Sequence, residues 1–201
     1  MANKKNKVKF NICNVHYAPI TVAEEGSVTF GTPVPMPGAV SISMDPTGEP
    51  ESFYADGIEY YVINNNQGYD GDLELAMIPE AFRTDILKEE ADANKVLVEN
   101  ANSETGSFAL LFEFDGDIRK IRHVLYNCSA SRPTIESKTN EEDKEVQTET
   151  LTIKARPMAS GYVKAKTGDS TTDSVYNNWY KTVYEPTAVA EQASKSTLAS
   201  K

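Results

Sequence analysis

The 201-residue chain has only two cysteines and no apolar run that approaches the roughly 20 residues of a membrane-spanning helix. Cys13 and Cys128 lie far apart in the sequence, so we expect two reduced thiols and no disulfide. The basic residues at 1–5 lead into no apolar segment of the signal-peptide type. The sequence therefore predicts cytoplasmic synthesis, no membrane association, and a domain stabilised by its apolar core.

The motifs of the common enzyme classes are also missing. The sequence contains no Gly-x-Ser-x-Gly elbow, no phosphate-binding loop and no dinucleotide glycine fingerprint. These absences predict a protein that is not an enzyme and that binds no cofactor. Such a chain is more typical of a structural component.

The sequence spacing of two cysteine–histidine pairs is compatible with a metal site. Cys13 and His16 are three residues apart, and His123 and Cys128 are five apart, which could supply four ligands to zinc. Residues three or five apart in a strand point to opposite faces, so neither pair converges without a bulge. The acidic segment 70–74 lacks the turn glycine and closing glutamate of an EF-hand. We therefore predict no metal site, although a weakly held loop cation stays open.

Acidic residues outnumber basic residues, 30 to 20, which gives a formal net charge of −10. Nucleic-acid-binding proteins present basic patches that neutralise phosphates, so tight DNA binding is not expected. A negative surface would instead repel DNA and let the polymer slide past without adhering.

Alternating apolar and polar residues, separated by turn signals, predict a mainly β fold. The clearest signal is Asp56-Gly57, since this pair accepts the positive φ values of a two-residue hairpin turn. A second hairpin is expected at Asp115-Gly116. Pro79 fits the first position of a helix, and Asp173 begins a second, short one. Predicted strands span 7–17, 27–30, 40–45, 51–55, 58–64, 72–77, 95–99, 108–115, 118–127, 132–138, 146–155 and 162–166.

The segment Ala18 to Gly38 is rich in proline, which cannot donate to a sheet ladder. A connection of this length is either disordered or a projecting hairpin with a function. Because its apolar side chains are costly to expose, we expect a projecting arm that docks on a neighbouring molecule. The residues predicted to make that contact are Phe30, Pro33, Val34, Pro35 and Met36.

Acidic and aromatic residues on the predicted strands leave two further readings open. Glu113 and Asp115 share a strand face and could act as the acid and base of a hydrolase. Aromatic residues could instead form a sugar-stacking platform, as in a carbohydrate-binding β-sandwich module. The platform residues would be Tyr60, Tyr61, Tyr176, Trp179 and Tyr180.

A series of short segments, in this order, resembles the major tail protein, or tail tube protein, of long non-contractile tailed bacteriophages (siphophages) of Gram-positive hosts. The resemblance runs from the first strand to about Ala155. The segments are Asn14-Val15-His16-Tyr17-Ala18, Pro37-Gly38-Ala39-Val40, Phe53-Tyr54-Ala55-Asp56-Gly57, Gly68-Tyr69-Asp70-Gly71, Phe108-Ala109-Leu110-Leu111-Phe112 and Tyr126-Asn127-Cys128.

The resemblance implies a tail-tube-type β-sandwich or barrel with one flanking α-helix and a long projecting loop. The length of the chain predicts a single domain over 1–185, with the arm at 18–38, and the low hydrophobicity of 186–201 predicts a flexible tail. Copies of the chain would close into hexameric rings, and the rings would stack into a tube in the virion that conducts DNA. The implied partners are other copies of the chain and the tape measure, tail terminator and distal tail proteins.

In such a tube the acid excess would give a negatively charged channel that DNA crosses without sticking. The candidate channel-lining residues are the strand acids, although solvation of an outer surface would explain them equally well. They are Glu59, Asp72, Glu74, Glu113 and Asp115.

Overall fold

A computed structural model describes residues 5–23, 27–139 and 145–187. The prediction of a mainly β protein is confirmed, with 46% strand and 7% helix. The helices are α1 (Glu80–Asp85) and α2 (Asp173–Asn178). The strands are β1 (Lys9–Val22), β2 (Val28–Phe30), β3 (Val34–Pro35), β4 (Ala39–Thr47), β5 (Glu51–Ala55), β6 (Ile58–Ile63), β7 (Gly68–Leu75), β8 (Glu90–Ala91), β9 (Leu97–Val98), β10 (Phe108–Gly116), β11 (Ile121–Ala130), β12 (Glu149–Arg156) and β13 (Lys164–Lys166).

Nine strands form one antiparallel sheet in the order β2-β1-β10-β11-β12-β7-β4, with β3 paired to β1 and β13 paired to β11. The chain passes directly from β3 into β4, so β4 at one end of the sheet comes close to β1. The sheet therefore curves around a central core. The strand pairs β5-β6 and β8-β9 stand apart from it as separate two-stranded hairpins.

The central core lies on the inner face of this sheet and includes α1. Alternation places Phe108, Leu110 and Phe112 of β10 on the inner face. Phe82 of α1 is fully buried and makes edge-to-face contacts with Tyr17, at 5.1 Å between ring centroids, and with Phe108, at 5.3 Å. The helix predicted at Pro79 is therefore present, and it packs against the inner face of the sheet through Phe82.

The outer face of β10 and β11 is covered by the segment that contains α2. Ala109, Leu111, Val124 and Tyr126 pack there against Trp179 in a second apolar cluster. These two strands are consequently buried on both faces, whereas the outer face of β4, β7 and β12 carries mainly polar residues. This asymmetry leaves the outer face of β4, β7 and β12 uncovered.

Several predicted boundaries differ from the structure. The Asp56-Gly57 turn is confirmed, with φ values of 52° and 79°, and the hairpin of β10 and β11 is present. Its turn lies at 117–120 and not at Asp115-Gly116, because Asn6 accepts hydrogen bonds from two backbone N–H groups of that turn, both at 3.0 Å. Residues 132–138, predicted as a strand, have no regular structure.

Much of the segment predicted as a projecting arm, 18–38, pairs with its own chain in the structure. β2 folds back on β1, and β3 pairs with β1 through His16 and Tyr17. Met36 is 1% exposed in the central core, and Pro33 is also buried. Its own chain thus buries Pro33 and Met36 and partly covers Phe30 and Val34, while Pro35 stays exposed. Residues 24–26 and 188–201, the latter most of the predicted tail, lie outside the described residues.

Candidate functional site

The uncovered outer face of β4, β7 and β12 carries four carboxylates in aligned rows. Directly paired residues of antiparallel strands share a face, so the pairing register defines these rows. Glu74 lies between Ser41 and Thr150, and Asp72 lies between Ser43 and Thr152. The third row consists of Asp45, Asp70 and Lys154. We call this surface, with Asp45, Asp70, Asp72 and Glu74, the acid face.

Hydroxyl groups hold two carboxylates of the acid face, those of Glu74 and Asp72, in place. Thr148 Oγ1 donates to Glu74 at 2.7 Å and Ser41 Oγ donates to it at 2.8 Å, while Thr152 Oγ1 donates to Asp72 at 2.8 Å. The bonds from Thr148 and Ser41 lower the pKa of Glu74 below its ordinary value. Because hydrogen bonding favours its charged form, this carboxylate stays ionised at neutral pH on a rigid surface.

Arg156 holds the carboxylate of Asp70 from one side. Its Nη2 donates to Asp70 Oδ2 at 3.1 Å, and Nη1 donates to Oδ1. This bidentate bond lowers the pKa of Asp70. Asp70 is therefore partly neutralised, and the net negative charge of the acid face comes mainly from Asp45, Asp72 and Glu74.

The hairpin of β5 and β6, which we call the finger, exposes apolar side chains on both of its faces. Tyr60 is 68% exposed and Tyr61 is 64% exposed, and no residue of either strand is buried. A two-stranded hairpin without a packed face is at best marginally stable in water, so this arrangement calls for a partner. Its seven large apolar side chains are Phe53, Tyr54, Ile58, Tyr60, Tyr61, Val62 and Ile63.

The structure places the five acids predicted to line a channel in three separate regions. Asp72 and Glu74 lie on the acid face, while Glu59 lies on the finger, where Ser52 Oγ donates to it at 2.9 Å. Glu113 is 3% exposed and pairs with Lys120 at 2.9 Å and Arg122 at 3.1 Å; Asp115 also pairs with Lys120. Because Glu113 is buried and its charge is offset by Lys120 and Arg122, it adds little to the negative potential at the protein surface.

Sequence reasoning did not single out Asp45 and Asp70 as members of this surface. Asp45 alternates with Ser41 and Ser43, so its face could be read from the strand pattern. Asp70 was considered only for a calcium loop. Its place beside Asp45 depends on the β4-β7 register, which the sequence does not show.

The arm residues predicted to contact a neighbouring subunit serve the domain itself. Phe30 lies against Tyr126, with 6.1 Å between ring centroids, and Val34 packs at the edge of the central core. Pro35 still faces solvent on β3. An intermolecular role for the arm segment stays a prediction. The exposed apolar surface that was expected of the arm is instead present on the finger.

The residues of the two alternative functions do not form an accessible site. Glu113 is buried in ion pairs, which does not suit an acid or base that has to reach a substrate. Trp179 is 2% exposed and donates a hydrogen bond from Nε1 to the carbonyl of His123, so its ring is not accessible for stacking on a sugar. The ring of Tyr176 lies beneath two guanidinium groups, with its centroid 3.6 Å from Arg119 Cζ and 3.8 Å from Arg122 Cζ. Tyr60 and Tyr61 are on the finger. No common sugar platform results.

The cysteine and histidine pairs also occupy separate environments. Cys128 is buried in the central core, where burial raises the pKa of its thiol to about 12. His123 stacks on Phe112, and burial lowers its pKa to about 4. Within the described residues, no three His, Cys, Asp or Glu side chains lie close enough to hold a metal ion. Nor does any helix in those residues have the length and apolar character to span a membrane.

Two solved structures resemble the fold of the chain weakly. One is the sheath/tube terminator of PVC, an extracellular contractile injection system, with 8% identity and a TM-score of 0.45, covering 81% of this chain and 99% of that one. The other is the tube-terminating cap of the anti-feeding prophage AFP, with 10% identity and a TM-score of 0.41, covering 84% and 98%. A search of curated proteins gave no significant match.

The sequence itself gives the decisive comparison. A family model described as phage tail tube protein matches residues 3–183, which include every strand and both helices of the structure. A match of this extent covers the curved sheet, the finger and the acid face together. The chain belongs to the phage tail tube protein family.

Proposed function

We propose that the protein assembles with copies of itself into hexameric rings that stack into the tube of a long, non-contractile phage tail. Family membership makes it a structural component of a phage tail. The observation that carries the finer proposal is the finger, whose two exposed apolar faces need a partner. A second copy of the same chain supplies that partner wherever the protein is concentrated.

Open growth of a tube follows from the symmetry of such contacts. Contacts between unlike surfaces close into a ring when they are related by rotation, and stacking between unlike ring faces continues without limit. The two ends of a finished tube would then expose unpaired surfaces. Tail terminator and distal tail proteins would cap these ends, and a tape measure protein would occupy the channel before DNA.

We propose further that the acid face lines the channel. It is an uncovered part of the outer sheet surface, and hydroxyl groups fix its Asp72 and Glu74 carboxylates. A rigid negative wall repels the phosphates of passing DNA, so the polymer is not retained. Because Glu59 lies on the finger and Glu113 is neutralised, Asp45, Asp72 and Glu74 would carry most of this effect.

Electron microscopy of the purified full-length protein tests the assembly proposal. We expect rings or tubes above a threshold concentration, with or without a tail initiator complex. Sedimentation that gives only monomer at every concentration, in the presence of the initiator, would contradict it.

Reversing charge on the acid face should make the tube retain DNA. In the variant Asp72→Lys/Glu74→Lys, tubes still form, but assembled tubes bind DNA with an affinity that falls steeply with salt, since lysines now contact phosphates. The measurement is co-sedimentation of tubes with short duplex DNA at 50 and 200 mM salt.

The matched control is Glu104→Lys/Glu136→Lys, which makes the same charge change on exposed loop residues. This control should bind DNA no more than wild type does. Equal DNA retention by both variants would show that net charge, and not the acid face, sets the behaviour. Phages that carry the acid-face variant should also lose infectivity by at least about tenfold, because DNA adheres in the channel.

A further inference from the structure

A cleft of about 350 Å³, lined by both apolar and polar side chains, opens between β4 and the β10-β11 hairpin, at the edge of the central core. Its apolar lining includes Ile42, Met44, Tyr69 and Phe114, all of which are half-buried and packed against the core. These side chains keep part of their apolar surface in water. The volume lies at the lower end of the range in which proteins enclose a ligand.

The rim of the cleft is basic, in a protein whose net charge is −10. Lys9 Nζ lies 4.8 Å above the ring centroid of Phe114, and Lys164 Nζ lies 4.2 Å above the ring centroid of Tyr69. No carboxylate lines the cleft, and neither lysine forms an ion pair within the described part of the chain. The cleft thus combines an apolar floor with unpaired positive charge.

The finger has the complementary composition. Residues 51–63 contain three acids, Glu51, Asp56 and Glu59, and no lysine or arginine. Four aromatic side chains accompany them, and all four are exposed. Aromatic groups bury a large area and interact favourably with cations above their faces. Finger and cleft therefore match in both apolar character and charge.

We propose that the cleft receives aromatic side chains of the finger of a second copy of this chain, with Lys9 and Lys164 pairing with the finger carboxylates. The finger of the same chain does not fill the cleft, since its side chains are exposed in the structure. This inference rests on the self-assembly proposed above and names the surface that receives the finger.

Charge reversal at the rim tests the inference. The variant Lys9→Glu/Lys164→Glu places like charges opposite the finger, so its critical concentration for assembly should rise at least about tenfold. The reciprocal change Glu51→Lys/Glu59→Lys in the same chain should restore assembly. The control Lys88→Glu/Lys181→Glu, at exposed lysines outside the cleft, should assemble as wild type does. Light scattering against protein concentration measures all four.

The outcomes separate the two proposals. If wild type forms tubes and the rim variant forms them at the same concentration, the cleft is not the receiving surface, while the assembly proposal stands. If wild type never assembles, the assembly proposal fails and this inference fails with it. Circular dichroism checks that each variant is folded. Should the double reversal unfold, Lys9→Gln/Lys164→Gln removes charge without repulsion, and a threshold equal to that of wild type would again overturn the inference.

Discussion

Replacing the four aromatic residues of the finger with serine should abolish tube formation and leave a folded monomer. The residues are Phe53, Tyr54, Tyr60 and Tyr61, and none of them contributes to the two apolar clusters of the domain. Burying two such side chains in a contact contributes about 3 kcal/mol, which corresponds to roughly a hundredfold in an association constant. Electron microscopy and sedimentation should show only monomer at concentrations well above the wild-type threshold.

The control for this variant replaces exposed apolar residues of the other small hairpin. Val96, which directly precedes β9, is 57% exposed, and Val98, which lies in β9, is 49% exposed. The variant Val96→Ser/Val98→Ser should assemble at the wild-type concentration. Normal tube formation by the finger variant would show that subunit contacts lie elsewhere, and the proposed role of the finger would then be lost.

Deleting residues 26–35 is a poorer test of assembly than the sequence alone suggests. That segment contains β2 and β3, both of which pair with β1, and its Pro33 is buried. A deletion would therefore damage the domain as well as any contact between subunits. The finger carries no such complication.

Trp179→Ala should destabilise the monomer by about 3–5 kcal/mol, the usual cost of truncating a buried tryptophan. The indole is 2% exposed, packs in the second cluster and stacks on Tyr184 with 5.5 Å between ring centroids. Its loss also removes a donor to the carbonyl of His123. Urea unfolding followed by circular dichroism measures the change in the free energy of unfolding.

Tyr60→Ala is the matched control, because it truncates an aromatic residue that is exposed on the finger. Its free energy of unfolding should stay within about 0.5 kcal/mol of wild type. A Trp179→Ala variant of normal stability that instead lost binding to a glycan would favour the carbohydrate-binding reading. The structure leads us to expect a stability defect without any effect on glycans.

The two variants together separate folding from assembly. Finger substitutions should change the concentration at which tubes form and leave the unfolding curve unchanged. Trp179→Ala should shift the unfolding curve, because the outer face of β10 and β11 loses its cover. If the finger folded onto the body of its own chain, finger substitutions would shift the unfolding curve as well.

Strand patterns predicted the fold class well where one face of a strand is buried. The alternation in β10 placed Phe108, Leu110 and Phe112 together correctly. It did not show that Ala109 and Leu111 on the opposite face are buried as well. The cover on that face comes from residues near Trp179, about 70 positions later, and local periodicity carries no information about such a contact.

The same limitation explains the prediction of the projecting segment. Proline and exposed-looking apolar residues at 18–38 suggested an arm, while the Asp56-Gly57 hairpin looked like an ordinary part of the sheet. Both segments have strand character, and the sequence does not state which of them finds a partner within its own chain. Pairing of β2 and β3 with β1 covers much of the first, whereas the finger pairs with no other strand among the described residues.

The sequence by itself determined the mainly β class, the Asp-Gly turn, the acid excess and the resemblance to tail tube proteins. These features reside in local composition, turn chemistry and the order of short segments. Only the tertiary structure decided that Asp45, Asp70, Asp72 and Glu74 share one uncovered face. It also decided that two ion pairs offset the charge of Glu113, and that the apolar side chains of the finger are exposed to solvent. Strand register and long-range cover decide such placements, because they depend on which distant residues pack together.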